Sequence, residues 1–352
     1  MICKEPYYCQ TKQVFGGGSL MKKALSLLLV VLLVGSMLAG CAAEEQKAAV
    51  GMITDTGGLG DQSFNDSAWA GMTQAEEEFG VAKKVLESET ADDYFPNLVS
   101  FAEENTDLVI GVGFLFNEAM TQAAEKFPEQ KFALIDSVVE ADNVASLVFA
   151  ENEGSFLVGV IAGMETKTDK VGFIGGMKFP LIEKFEYGFR AGVKAVNPEA
   201  EVFVNYADSF EDAAKGKEIA LVQHQKGADV IYHAAGGVGV GLIQAAEEEG
   251  FWAIGVDMDQ SALSPSNVLC SMIKRVDVAV YSTIKTVQDG TYAGGVTVFD
   301  LKADGVGYSD NAGNLSDELK AAADKYSDAI KEGKFAVPAT QAEFDAFEAP
   351  AM

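Results

Sequence analysis

Positive charge and histidine are scarce in this chain. Against 53 aspartates and glutamates stand 26 lysines and arginines and two histidines, a formal net charge of −27. Nucleic-acid binding takes its affinity from Lys and Arg that displace counterions from phosphate. This balance therefore excludes a nucleic-acid partner, and it argues equally against direct adsorption to an anionic membrane. Two histidines leave little for acid–base catalysis. His224 lies in the helical stretch ALVQHQKG, on a predicted solvated face, and His233 sits inside a buried-strand pattern, where a satisfied core histidine is expected. No G-x-S-x-G elbow, H-E-x-x-H pair or metal-ligand cysteine spacing occurs, so the chain reads as a non-enzyme that calls for no cofactor or metal. The four cysteines, Cys3, Cys9, Cys41 and Cys270, make no disulfide framework, and Cys270 in NVLCSMIK reads as a small buried hydrophobe. The apolar run Ala24–Ala39 spans 16 residues, short of the ~20 that a membrane-crossing helix needs.

That run belongs to MKKALSLLLVVLLVGSMLAGC, residues 21–41, whose two lysines, apolar centre and small-residue end have the three-part layout of a secretory signal peptide. LAGC at 38–41 is similar to a bacterial lipobox, a similarity that implies cleavage before Cys41 and lipid on its sulfur. Residues 1–20 fit no targeting signal and read as upstream sequence, with Met21 as the true start. Residues 1–40 carry four lysines and one glutamate, so from Cys41 onward 22 basic residues face 52 acidic ones, net −30. A strongly acidic chain stays soluble at a cell surface. About 312 residues remain to fold, long for one core and comfortable for two.

The soluble part alternates. Nine short apolar runs read as buried parallel strands: 48–54, 107–113, 131–136, 144–149, 170–176, 201–206, 230–235, 252–257 and 268–274. Helical spacing fills the gaps. From Asn65 the residues Ala68, Met72, Ala75 and Phe79 share a face, and from Glu183 so do Phe185, Phe189, Val193 and Val196. Strand–helix alternation predicts an α/β fold with parallel sheets flanked by helices. Nine strands predict two sheets, hence two hinged lobes with a cleft between them. Chain crossings are expected near 168–170, in 259–267 and near 301–307. That assigns 48–168 plus 268–302 to an N-terminal lobe and 169–267 plus 303–345 to a C-terminal lobe, after an extension at 1–20, a signal peptide at 21–40 and a lipidated tether at 41–47.

Ligands of open α/β sheets bind beyond the carboxyl ends of the strands. The predicted strand ends carry Asp55, Ser63, Phe64 and Asn65 in the elbow DTGGLGDQSFNDSAWAG (55–71). They also carry Phe114, Asp136, Lys178, Phe179, Phe210, Gly236, Asp257, Asp259 and Lys274. Carboxylates suit the hydroxyl pair of a sugar, phenyl faces suit a flat heteroaromatic ring, and acidic residues disfavour phosphate, so the set fits a nucleoside better than a nucleotide. Each residue also has a plainer role open to it. Ser63 and Asp66 have capping-box spacing, and Phe64 can act as a hydrophobic staple before Asn65. Asp136 and Asp257 can cap, Phe179 and Phe210 can be core, and Lys274 can be a surface lysine. GGVGVG (236–241), with Asp257 20 residues after Gly237, mimics a dinucleotide fingerprint, but Leu242 stands where the third glycine belongs. It reads as a glycine turn that lets backbone approach a small ligand.

The elbow, IEKFEYGFRAGV (182–193), AKGKEIA (214–220), GVDMDQ (255–260) and SMIKRVDVAVY (271–281) together resemble the basic membrane protein family of bacterial lipoproteins, over about residues 48–345. The resemblance implies the two-lobed type I periplasmic-binding-protein fold. It also implies a substrate-binding protein of an ABC importer, working as a monomer with permease and ATPase subunits, and a purine nucleoside ligand such as inosine, guanosine or adenosine. It puts Asp55, Ser63, Phe64 and Asn65 on the ligand, Phe64 stacking on the base with Phe210 opposite and Asp136 at the base edge. Phe179 is a further candidate contact. Gly236 brings backbone close, and Asp257 holds the ribose hydroxyls with help from Lys274. Asp257 is preferred to Asp259 because the first residue past WAIGV points into the crevice. A pyrimidine nucleoside, riboflavin, or a signalling or adhesion role without transport stays open at this point.

Overall fold

The computed structural model describes residues 48–350. The expected extension at 1–20, signal peptide at 21–40, lipidation of Cys41 and tether at 41–47 lie outside the described residues. Nine strands form where continuous apolar runs predict them, within one residue at either end. Four make most of the first sheet, with the edge strand β2 (Ala82–Glu87) next to β1 (Ala49–Thr54), then β3 (Leu108–Val112), β4 (Phe132–Ile135), β5 (Val144–Phe149) and β11 (Gly295–Phe299), all parallel. The second sheet runs β7 (Glu201–Tyr206), β6 (Lys170–Gly175), β8 (Val230–Ala234), β9 (Trp252–Asp257), β10 (Val268–Lys274) and β12 (Val306–Ser309), and only β12 is antiparallel. The sequence reading missed β2, β11 and β12. AKKVLE and GVTVF are edge strands with no buried residue, so neither needs the unbroken apolar run that marks a strand covered on both faces.

Both sheets have the doubly wound order 2-1-3-4-5, with the reversal between β1 and β3 in one and between β6 and β8 in the other. Helices α1 (Phe64–Phe79), α2 (Tyr94–Glu103) and α3 (Asn117–Lys126) connect the first four strands. Helices α5 (Pro180–Val196), α6 (Ala213–Gln225) and α7 (Val238–Glu249) repeat the pattern in the second lobe. Helix α5 begins three residues before the predicted Glu183 because Pro180, with its fixed φ and no N–H to waste, takes the first turn.

The expected lobe boundaries need two corrections. Strand β10 belongs to the second sheet, not the first, and the helix after β5, α4 (Glu151–Glu165), packs on α5 in the second lobe. The chain therefore crosses at Ala150 and at Arg275, not near 168–170 or in 259–267. Helix α8 (Val276–Gln288) crosses back onto α1, and the third crossing falls between Phe299 and Val306. The physical reason is common to all three. The carboxyl ends of the two sheets face each other across the cleft, so the shortest way over starts directly from a strand end, not from a loop after a helix. The remaining elements, α9 (Asp317–Lys331) and α10 (Gln341–Asp345), close the second lobe against α4 and α5.

Helices α4 and α5 meet backbone to backbone. A Cβ on Gly159 would sit 2.2 Å from the Phe189 carbonyl oxygen, and one on Gly192 2.1 Å from that of Phe156. Side chains there have no room. Gly192→Val is expected to lower stability by about 1–3 kcal/mol through overpacking, read as a lower urea midpoint at unchanged m-value.

A candidate ligand site between the lobes

Strand ends from both sheets converge on one cavity, at the carboxyl edge where small-molecule sites of open α/β sheets lie. The first lobe supplies Asp55 after β1, Asp61, Phe64 and Asn65 at the start of α1, Gly113 and Phe114 after β3, and Asp136 after β4. The second supplies Ile182 and Phe185 from α5, Phe210 after β7, Gly236 after β8, Asp257 at the end of β9 and Lys274 at the end of β10. Asp136 and Asp257 close topologically equivalent strands, and both hold left-handed backbone, φ +70° and +66°. That conformation is uncommon outside glycine and least so for Asp and Asn. It turns each carboxylate off its strand into the cleft.

Of the ten predicted ligand residues, eight line the cavity. Ser63 and Phe179 do not. Ser63 makes no side-chain capping bond; its hydroxyl instead crosses the cleft and donates to Asp257 Oδ2 at 2.5 Å. Capping of α1 falls to Asp61, which accepts the backbone N–H groups of Ser63, Asn65 and Asp66 at 3.0, 2.8 and 3.1 Å. Phe179 is 37 % exposed and packs outside Phe114, ring centroids 5.1 Å apart. Phe114 in turn meets Phe210 edge-on at 6.3 Å. Asp259 is turned away from the cavity, accepting hydrogen bonds from Ser261 and Ser309.

Lys274, 1 % exposed, is the one side-chain cation lining the cavity among the described residues. Its ammonium donates to Asp136 Oδ2 at 2.6 Å, lies 3.4 Å from Glu151 Oε1, and sits 4.9 Å from the centre of the Phe64 ring. Lys184 holds the other oxygen of Glu151 at 3.3 Å. Glu151 and Asp61 escaped the sequence reading. An acid directly after an apolar strand end, and an acid two residues before a helix N-cap, are the signals that mark them.

The cavity holds more negative charge than Lys274 balances. Burial pushes the Asp257 carboxyl up to about 7 against the pull of Lys274 and Ser63. Burial raises Asp136 to about 6 despite Lys274, and Asp55 to about 6 despite hydrogen bonds from Asn65 and Gly57. Burial lowers Lys274, but Asp136, Glu151 and Asp257 outweigh it and the ammonium stays charged. Two acceptors, Asn65 Oδ1 and Asp136 Oδ1, are buried with no partner within the protein, a cost of about 1–3 kcal/mol each that a ligand donor removes.

The histidines stay out of this chemistry. His233 is fully buried, bonds Gln260 Oε1 at 2.8 Å, and burial pulls its pKa down to about 4. His224 is not on a solvated face; it stacks on Phe251 at 4.6 Å and bonds the Ala228 carbonyl. The glycines of GGVGVG serve packing. A Cβ on Gly239 would lie 1.8 Å from the His233 ring and one on Gly241 1.8 Å from the Ala213 carbonyl oxygen, and only Gly236, at φ +55°, reaches the cavity.

Residues 48–341 match the family described as ABC transporter substrate-binding protein, PnrA-like. The chain belongs to this family. It is 39% identical over 316 residues to a CD4+ T-cell-stimulating antigen of Listeria monocytogenes, covering 82% of this chain and 87% of the relative. It is 38% identical over 335 residues to the ABC transporter nucleoside-binding protein BmpA of Lactococcus lactis, covering 86% and 95%. Among solved structures, an ABC transporter solute-binding protein from Aeropyrum pernix superposes with a TM-score of 0.78 at 30% identity, over 85% of this chain and 96% of that one. PnrA-like proteins are substrate-binding components of ABC transporters, not enzymes; they act outside the cytoplasm with a permease and its ATPase. No helix among the described residues is long and apolar enough to cross a membrane.

The raised Asp257 carboxyl sets a pH signature. Its folded value lies above the ordinary 3.8, so its contribution is full below that value and is lost as pH rises through about 7. Asp257→Asn removes this loss. In urea titrations of ligand-free protein, the variant's stability relative to the native chain is expected to rise by about 2 kcal/mol between pH 5 and pH 8.

Proposed function

We propose that this protein is the lipid-anchored receptor of an ABC importer, capturing purine nucleosides between its lobes and presenting them to the permease. One observation carries the reading. A single cavity joins phenyl rings from both lobes to a set of hydrogen-bond acceptors and one buried ammonium. Phe64 stacks on the base, with Phe210 across from it, a contact of roughly 1–3 kcal/mol in nucleic-acid systems. Asp136 and Asn65 accept from base N–H groups. Asp257 takes the ribose hydroxyls through Oδ1, its other oxygen being held by Ser63, and Lys274 donates to a ribose oxygen.

The same charges select against nucleotides. At an effective dielectric of about 20, like unit charges about 4 Å apart repel by roughly 4 kcal/mol, and a phosphate would meet several carboxylates here. The Lactococcus relative named as nucleoside-binding supports the ligand class. The anchor is supported by the lipobox-like LAGC before Cys41 and by a 37% identical relative from Pyrococcus abyssi named as a lipoprotein.

The full chain, purified in detergent and stripped of bound ligand by refolding, is to be titrated calorimetrically with inosine, guanosine, adenosine, cytidine, riboflavin and ribose. Tight one-to-one binding of the purine nucleosides is expected, weakened at least a hundredfold by Asp257→Ala. Binding of riboflavin alone, or of none of the panel, would overturn the ligand assignment. Incorporation of labelled palmitate in cells, abolished by Cys41→Ser, checks the anchor.

A further inference from the structure

Among the cavity-lining residues is Asp61, 4 % exposed, whose carboxylate reaches the Asn65 side chain as well as the start of α1. The Asn65 amide nitrogen donates to Asp55 Oδ1 at 2.9 Å and to Asp61 Oδ2 at 3.2 Å. Both of its hydrogens are spent on carboxylates. Asn65 Oδ1 is left buried in the cavity wall with no protein donor. Turning the amide over would set its oxygen against two carboxylate oxygens and take from each the hydrogen bond that Asn65 donates. Asp61 itself cannot swing away, because three backbone N–H groups of the first helical turn hold it.

We infer that Asp61 is a positioning residue for ligand selectivity: with Asp55 it locks the Asn65 amide so that the cavity meets an acceptor and never a donor. The inference rests on the nucleoside reading and sharpens it. Asp136 Oδ1 is a second unpartnered acceptor, and Lys274 is the one side-chain donor left to the ligand among the described lining residues. The ring that fits must therefore bring N–H or NH₂ groups to its edge. Purines with an exocyclic amino group or a lactam N–H do so; unsubstituted purine riboside does not.

The test compares ligand pairs that differ by one donor, adenosine against purine riboside and guanosine against inosine, with the full chain in detergent at pH 8. The native protein is expected to bind the donor-bearing member at least tenfold more tightly in one pair or both. In Asp61→Asn the Asn65 amide is free to turn, and the ratio should fall below threefold. A native ratio near one in both pairs overturns the inference, as does an Asp61→Asn variant that weakens both members of a pair equally, the mark of a helix cap and nothing more. If Asp61→Asn does not fold, hydrogen exchange of the Asn65 side-chain amide in the ¹⁵N-labelled native protein decides: protection supports the lock, and free exchange overturns it. If no nucleoside binds the native protein, the ligand reading falls, and the same exchange measurement still tests the lock.

Discussion

A single buried ammonium governs this structure. Lys274 ends the second-lobe strand β10, yet its closest partner, Asp136, ends a first-lobe strand, and Glu151 opens the helix by which the chain first crosses over. A lone buried charge is costly, and so is a lone buried carboxylate. Here one cation serves carboxylates from both sides of the hinge, so its satisfaction depends on the lobes standing close together. Removing it would leave Asp136 and Asp257 without a cationic partner in the buried cleft and Glu151 with Lys184 alone.

The same geometry explains the chain path. Three crossings between lobes all leave from strand carboxyl ends, at Ala150, at Arg275 and after Phe299, so the hinge is built beside the ligand cavity. In the capture proposed above, closure and ligand contact are thereby one event. Bonds across the cleft already exist within the protein: Ser63 to Asp257, Gln260 to the Gln62 carbonyl, and Lys274 to Asp136. A ligand adds to them by partnering acceptors that closure buries and leaves without donors. Such differential affinity for the closed arrangement is the only means by which a ligand can shift a two-state equilibrium.

How a carboxylate-rich pocket avoids destabilising itself follows from its pKa values. Asp55, Asp136 and Asp257 are raised to about 6, 6 and 7 by burial, so protons offset part of the repulsion. Hydroxyl and N–H donors of a ligand favour the ionised forms.

Much was legible in the sequence because it rests on local pattern. Continuous apolar runs located the eight interior strands, since a strand covered on both faces must be apolar throughout, and EVFVNY located the edge strand β7. The strand-end rule placed eight of the ten candidate residues on the cavity, from Asp55 to Lys274. What stayed hidden depends on relations between distant segments. Edge strands such as GVTVF carry no burial pattern to read. The lobe to which β10 belongs depends on hydrogen bonding to β9 and β12, not on its own residues. Ser63 has the spacing of a helix cap, and only the approach of Asp257, 194 positions away, turns its hydroxyl across the cleft. Composition and periodicity determined which residues stand at strand ends. Which of them face one another, and with which atom, was decided by tertiary structure, because hydrogen-bond partners are chosen by distance and direction in space.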